Sequence, residues 1–181
     1  MHEHTECTFG GCYASYEECS LVLIVMGVVG SGKTTVGKLL AEKLAWHFAD
    51  ADDFHSSDSV KKIRKGIPLT DLDRAPWLSA LHTAIEQWNS AQRNVILACS
   101  ALKRSYRDKL RAGPVQFVYL KGGYDLIRNR LGSRHGHFAS ESILASQFAD
   151  LEEPNDAITV FVDKTPAAIF EEIMARLKLL Q

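Results

Sequence analysis

The stretch LVLIVMGVVGSGKTTVGKLLAEKL, residues 21–44, decides how this chain folds. Leu21 to Met26 is an unbroken apolar run, the pattern of a strand buried on both faces of a parallel sheet. Gly27 to Thr34 then reads G-x-x-x-x-G-K-[ST], the spacing of a phosphate-binding loop. Gly27, Gly30 and Gly32 let the backbone curl closely enough for its N–H groups to cradle phosphate oxygens. In that pattern Lys33 reaches the β and γ phosphates, and the Thr34 hydroxyl ligates Mg2+. Beyond the loop, Val36, Leu39, Leu40 and Leu44 recur at helical spacing, with Lys38, Glu42 and Lys43 between them. Strand, glycine loop and helix together place a phosphate on the positive end of a helix dipole. Gly27, Val28, Val29, Gly30, Ser31, Gly32, Lys33, Thr34 and Thr35 are therefore expected to hold a nucleoside triphosphate.

The rest of the composition suits a globular domain around such a strand. With 181 residues, 46% hydrophobic and 24% charged, the chain reads as one domain with a single good core, residues 21–181. A formal net charge of −1 argues against an electrostatic nucleic-acid footprint. No apolar run approaches ~18 residues, so no membrane span is expected. Residues 1–20 differ in character: they lack Lys and Arg, carry Glu3, Glu6, Glu17 and Glu18, and hold Cys7, Cys12 and Cys19. A secretory signal needs a basic start and its own apolar core, so a flexible extension and a cytoplasmic protein are expected. The spacing of His2, His4 and these cysteines matches no compact zinc pattern. Cys99, inside an apolar run, reads as a small buried hydrophobe.

Strand-like and helix-like segments alternate to the end of the chain. Strands are expected near Trp46–Ala49, Asn94–Cys99, Val115–Leu120 and Ile158–Val162. Helices are expected over Pro76–Trp88, Ser105–Arg111, Tyr124–Leu131, Glu141–Phe148 and Pro166–Leu180. Thr165 and Pro166 make a good start for the last one, as N-cap and first helical residue. Regular β-α alternation implies a parallel sheet with helices on both faces, and ligands beyond the C-terminal ends of its strands.

The polar clusters fall at those strand ends. Asp50, Asp52 and Asp53 follow the second strand, and continued alternation puts Asp50 and Asp52 on one side. One carboxylate near Mg2+ and another near a substrate hydroxyl is what a small-molecule kinase needs. Asp50 is the expected metal residue beside Thr34, and Asp52 the expected base, with Asp53 the alternative. The strand ending at Cys99 lacks the usual terminal Asp but leads to Lys103 and Arg104, which suggests an anionic substrate. Residues 128–138 pack Arg128, Arg130, Arg134, His135 and His137 around Gly132 and Gly136, a composition suited to a lid over the triphosphate at about 128–140. An arginine there can stabilise charge on the transferring phosphoryl group.

These residues resemble a known family. MGVVGSGKTTVGKLLA, DADDFH, GIPLTDLDRAPWL, ACSALKRSYRDKLR, RHGHF and SQFADLEEP, in this order, closely resemble the gluconokinases, from about Leu21 to Glu172. The resemblance implies ATP-dependent phosphorylation of D-gluconate on its 6-hydroxyl, with Mg2+. It implies a three-layer α/β/α P-loop kinase fold with a five-stranded parallel sheet in order 2-3-1-4-5, a lid, and a homodimer. It places the substrate around Asp52, His55, Arg74, Lys103 and Arg104, with Arg130 and Arg134 acting from the lid alongside Lys33; His137 is a further candidate for binding the substrate. The nearest enzyme alternative is a shikimate-type kinase, which shares the F-x-D-x-D strand end of Phe48, Asp50 and Asp52. Such an enzyme is expected to carry a triple-glycine turn where this chain has Cys99-Ser100-Ala101. A nucleotide-dependent regulatory module is the alternative of another class. A GTPase switch would need N-K-x-D and D-x-x-G, and neither string occurs.

Overall fold

The computed structural model describes residues 20–132 and 140–178. The cysteine-bearing residues 1–19 lie outside that range, as do Arg134 and His137. Strands β1 (Val22–Met26), β2 (His47–Asp50), β3 (Val95–Ala98), β4 (Val115–Lys121) and β5 (Ile158–Phe161) form one sheet in the order β2-β3-β1-β4-β5. Every pairing is parallel, and β1 sits in the middle, with Val22 opposite Val95 on one side and Val115 on the other. The expected order is the observed one.

Alternation along β1 makes the three layers. Leu23 and Val25 face α1 (Lys33–Leu44), α5 (Tyr124–Gly132), α6 (Ser140–Asp150) and α7 (Pro166–Lys178), where they meet Leu40, Ile127, Leu144 and Ile173. Val22, Ile24 and Met26 face α3 (Asp71–Ser90) and α4 (Arg104–Leu110), where they meet Leu81, Ile85 and Leu110. All five β1 residues are fully buried, which is why their run is apolar throughout rather than alternating. Cys99 is buried on the α3 side as expected, and burial pushes its thiol up to about 12.

Two helices differ from the sequence reading. Helix α2 (Ser57–Arg64) was not expected; Ser56 starts it by accepting from the Ser59 amide at 3.2 Å. Helix α3 begins at Asp71, well before Pro76. A reciprocal capping box sets that start: the Asp73 amide donates to Thr70 Oγ1 at 3.2 Å and the Thr70 amide to Asp73 Oδ2 at 3.0 Å. Pro76 removes the helix hydrogen bond to the carbonyl of Leu72, a residue that is 86% exposed.

Candidate active site

The phosphate loop joins β1 to α1, and its geometry follows from its glycines. Gly32, with φ 100° and ψ 16°, is the N-cap of α1 and has no side chain to occupy the open amides of the first turn. A Cβ on Gly30 would lie 2.9 Å from the Leu131 side chain and 3.2 Å from Ile127 Cγ2, so glycine lets α5 back directly onto the loop. The amides are left facing a cavity of about 360 Å3 at the C-terminal ends of β1, β2 and β3. Lys33 reaches into it, and its Nζ donates to the Val28 carbonyl at 3.0 Å. Burial lowers the Lys33 pKa, an effect opposed chiefly by the negative charge of Asp52.

The acidic cluster reaches the same cavity by a route other than strand alternation. Strand β2 stops at Asp50, and residues Ala51–Phe54 form a tight 3-10 turn. Asp50 Oδ1 accepts from the Asp52 amide at 3.1 Å, a local bond that competes with continuation of the strand. The premise that alternation would align Asp50 and Asp52 is therefore corrected: the turn brings both to the cavity and leaves Asp53 exposed outside it. The helix that follows, α2, is capped by Ser56. Thr34 Oγ1 donates to Asp50 Oδ2 at 3.3 Å, so the two expected metal residues are neighbours. Burial and the adjacent Asp50 raise the Asp52 pKa, against the pull of Lys33 and His55.

One tryptophan fixes this turn. Trp77 Nε1 donates to the buried Ala51 carbonyl at 2.7 Å, and the His55 ring stacks on the Trp77 ring at 4.8 Å and 9°. His55 Nδ1 is buried without a hydrogen-bond partner, and burial lowers the His55 pKa against the opposing charge of Asp52.

Arg74 lines the cavity, and Lys103, which does not line it, joins Arg74 in a network through Asp71 and Asp150 that the sequence reading missed. Arg74 Nη1 donates to Tyr106 Oη at 3.0 Å and to Asp150 Oδ2 at 3.2 Å. Lys103 Nζ binds both Asp71 oxygens, at 2.9 and 3.0 Å, and lies 3.8 Å from Asp150 Oδ1. Tyr106 donates to Asp71, and hydrogen bonds from Tyr106 and then Lys103 hold that carboxyl below the usual range. Asp71 belongs to the GIPLTDLDRAPWL string and Asp150 to SQFADLEEP, yet nothing in their local pattern marks them as partners of Arg74 and Lys103. The loop presenting Lys103 is held from behind by buried Arg107, whose Nη1 donates to the carbonyls of Ala101 at 3.0 Å and Leu102 at 2.8 Å. Arg104 is a correction. As the first residue of α4 its side chain is 80% exposed and lies 3.9 Å from Asp108 on its own helix, outside the cavity.

On the far side of Gly30 and Gly32 lies a second cavity of about 320 Å3, lined by Arg130, Lys164 and Pro166. Arg130 lines this cavity and not the one holding Asp52, and its guanidinium donates to the Val162 carbonyl. Lys164 has no signal in the sequence, and Pro166 reads there only as a helix start.

A family model described as shikimate kinase matches residues 29–178. The probable gluconokinase of Mus musculus is 45% identical over 179 residues, covering 87% of this chain and 97% of the relative. The gluconokinase of Gluconobacter oxydans is 45% identical over 157 residues, covering 84% of this chain and 88% of the relative. The chain belongs to the gluconokinase family. The crystal structure of a gluconokinase from Sinorhizobium meliloti superposes with a TM-score of 0.78 at 41% identity, covering 88% of this chain and 92% of that one. The match to the shikimate kinase model spans the same frame, from the phosphate loop to α7. Within it, the turn Cys99-Ser100-Ala101 after β3 separates this gluconokinase-family chain from the triple-glycine pattern expected of a shikimate-type enzyme.

Proposed function

We propose that this enzyme uses ATP to phosphorylate D-gluconate on its 6-hydroxyl, giving 6-phospho-D-gluconate and ADP. One observation carries the reading: a single cavity has the phosphate loop and Lys33 at one end, Asp52 beside them, and Arg74 across from them. A polyol with a carboxylate at the far end matches that order of groups. The acceptor carboxylate would bind Arg74, with Lys103 beside it in the same network, and the acceptor's hydroxyls would meet Asp52 and His55. As the 6-oxygen bonds to the γ-phosphorus, the bond from that phosphorus to the β,γ-bridging oxygen breaks, and the hydroxyl proton passes to Asp52. A raised pKa suits Asp52 to that role, and orientation of the hydroxyl contributes beside proton removal. Lys33 meets charge on the phosphates, and the second cavity takes the nucleoside, with Arg130 and Lys164 beside it.

Thr34 and Asp50 fit Mg2+. Their oxygens are hard donors, and that ion is held by one or two protein oxygens together with phosphate oxygens and water. Among the described residues no cluster of three or more acidic, His or Cys side chains offers a dedicated metal cage, in keeping with that mode. When bound, Mg2+ neutralises triphosphate charge. A homodimer is what the family resemblance implies; among the described residues no helix is long and apolar enough to cross a membrane.

The test is ADP release measured with D-gluconate, other aldonates, D-glucose, shikimate and nucleoside monophosphates. D-gluconate is expected to give the highest kcat/KM, because a site built to pair a carboxylate leaves its cations unsatisfied when that group is absent. Equal or faster turnover of D-glucose or shikimate would overturn the assignment.

A further inference from the structure

Helix α6 touches both halves of the site. Ile143, Gln147 and Asp150, spaced four and three apart, line one side of the main cavity together with Ser146. Gln147 Oε1 accepts from the Val29 amide in the phosphate loop at 2.6 Å. One turn further on, Asp150 Oδ2 accepts from Arg74 Nη1 at 3.2 Å, and its other oxygen lies 3.8 Å from Lys103. The neighbouring side of the helix is anchored. Leu144 is fully buried in the core, and Phe148 packs edge-on against Tyr124 of α5 at 5.2 Å. Helix α5 in turn abuts Gly30 through Leu131 and Ile127. The phosphate loop is thus held at Gly30 by α5 and at Val29 by α6.

We propose that Gln147 and Asp150 are positioning residues that make binding of the triphosphate and of the acceptor depend on each other. The proposal rests on the acceptor assignment above. Each residue occupies a group that a ligand needs. The Val29 amide is a phosphate-loop donor, and Gln147 holds it. Arg74 is the carboxylate-binding cation, and Asp150 neutralises it. A phosphate oxygen that takes the Val29 amide releases Gln147, whose amide then offers its own NH2 donors to that phosphate. An acceptor carboxylate that takes Arg74 releases Asp150. The two residues are one helical turn apart, about 4.5 Å along a stiff element, so release of one loosens the hold of the other. Whichever ligand binds first lowers the cost for the second, which is positive coupling, and by linkage the effect is reciprocal.

The test is calorimetric titration of the Mg2+ complex of a non-hydrolysable ATP analogue, with and without saturating D-gluconate. It is run on the wild type, Gln147→Ala, Asp150→Asn and the double variant. The ratio of the two dissociation constants is the coupling factor, expected in the range of about 5–150 for the wild type. Each single variant should bring it close to 1, and the double variant no lower. Residues that merely support the fold would lower the melting temperature and leave the factor intact, so an unchanged factor in both single variants overturns the proposal. A wild-type factor of 1 with normal D-gluconate binding overturns it too and leaves the acceptor assignment standing. Failure of the wild type to bind D-gluconate would sink both.

Discussion

Trp77→Phe tests how Asp52, the proposed base, is held in place. The indole N–H is the group that satisfies the Ala51 carbonyl, at 2.7 Å, and Ala51 is 1% exposed. A phenyl ring keeps a surface for His55 to stack on but orphans that carbonyl, which costs about 1–3 kcal/mol. The domain should therefore melt ~2–12 °C lower, at about 2–4 °C per kcal/mol for a chain of this size. Ala51 also opens the 3-10 turn that carries Asp52. If the whole cost appears as release of that turn, the productive arrangement becomes ~5- to 150-fold rarer and kcat falls by up to that factor. Scanning calorimetry and steady-state ADP release measure the two effects on one preparation. A variant with wild-type melting temperature and wild-type kcat would refute the claim that the Trp77 bond fixes the turn. A drop in melting temperature with kcat intact would show that the turn keeps its shape without the bond.

Asp52→Asn should lower kcat by ~10²–10⁴ while ATP affinity and melting temperature change little. Because burial and Asp50 raise the Asp52 pKa, kcat/KM should rise with pH through that raised value; Asp50→Asn should shift the acidic limb to lower pH, and a shift upward would contradict the assignment. Lys103→Ala should raise the D-gluconate KM by ~10- to 150-fold, the loss of a charged hydrogen bond, with ATP binding in the absence of D-gluconate near wild type. Thr70→Ala, which opens the α3 capping box, should cost about 1 kcal/mol and ~2–4 °C in melting temperature. Asp73 is held at about 2, first by Lys62 and then by Thr70, so its contribution to stability is complete above its ordinary 3.8 and is lost as the pH falls toward about 2. Asp73→Asn should accordingly flatten the acid limb of melting temperature against pH, and a limb of wild-type slope would count against this.

The sequence was most legible where one local rule governs. The apolar run of β1, the glycine loop and the helical spacing of α1 reinforce one another, and the sheet order follows the resemblance. It was least legible where a side chain bonds its own backbone or a remote element. Asp50, Ala51 and Asp52 read as strand alternation, but an aspartate at a strand end can accept from the amide two residues on and turn the chain instead. Thr70 and Asp73 stood in plain view as a capping box, obscured by Pro76, which reads as a helix start although the helix was already under way. Lys103 and Arg104 look equivalent as neighbours; the start of α4 sends the first toward Asp71 and the second to solvent. Gln147 and Asp150 meet partners 118 and 76 residues away, and no local pattern announces such contacts.

The central claim is that this site moves the γ-phosphoryl group of ATP onto the 6-hydroxyl of D-gluconate. The most direct measurement is 31P NMR of the product of a complete reaction, with proton coupling retained. The account predicts one new phosphomonoester signal, split by the two C6 protons and equal in amount to the ADP formed. A phosphate coupled to any other carbon-bound proton, or inorganic phosphate in place of the ester, would contradict it.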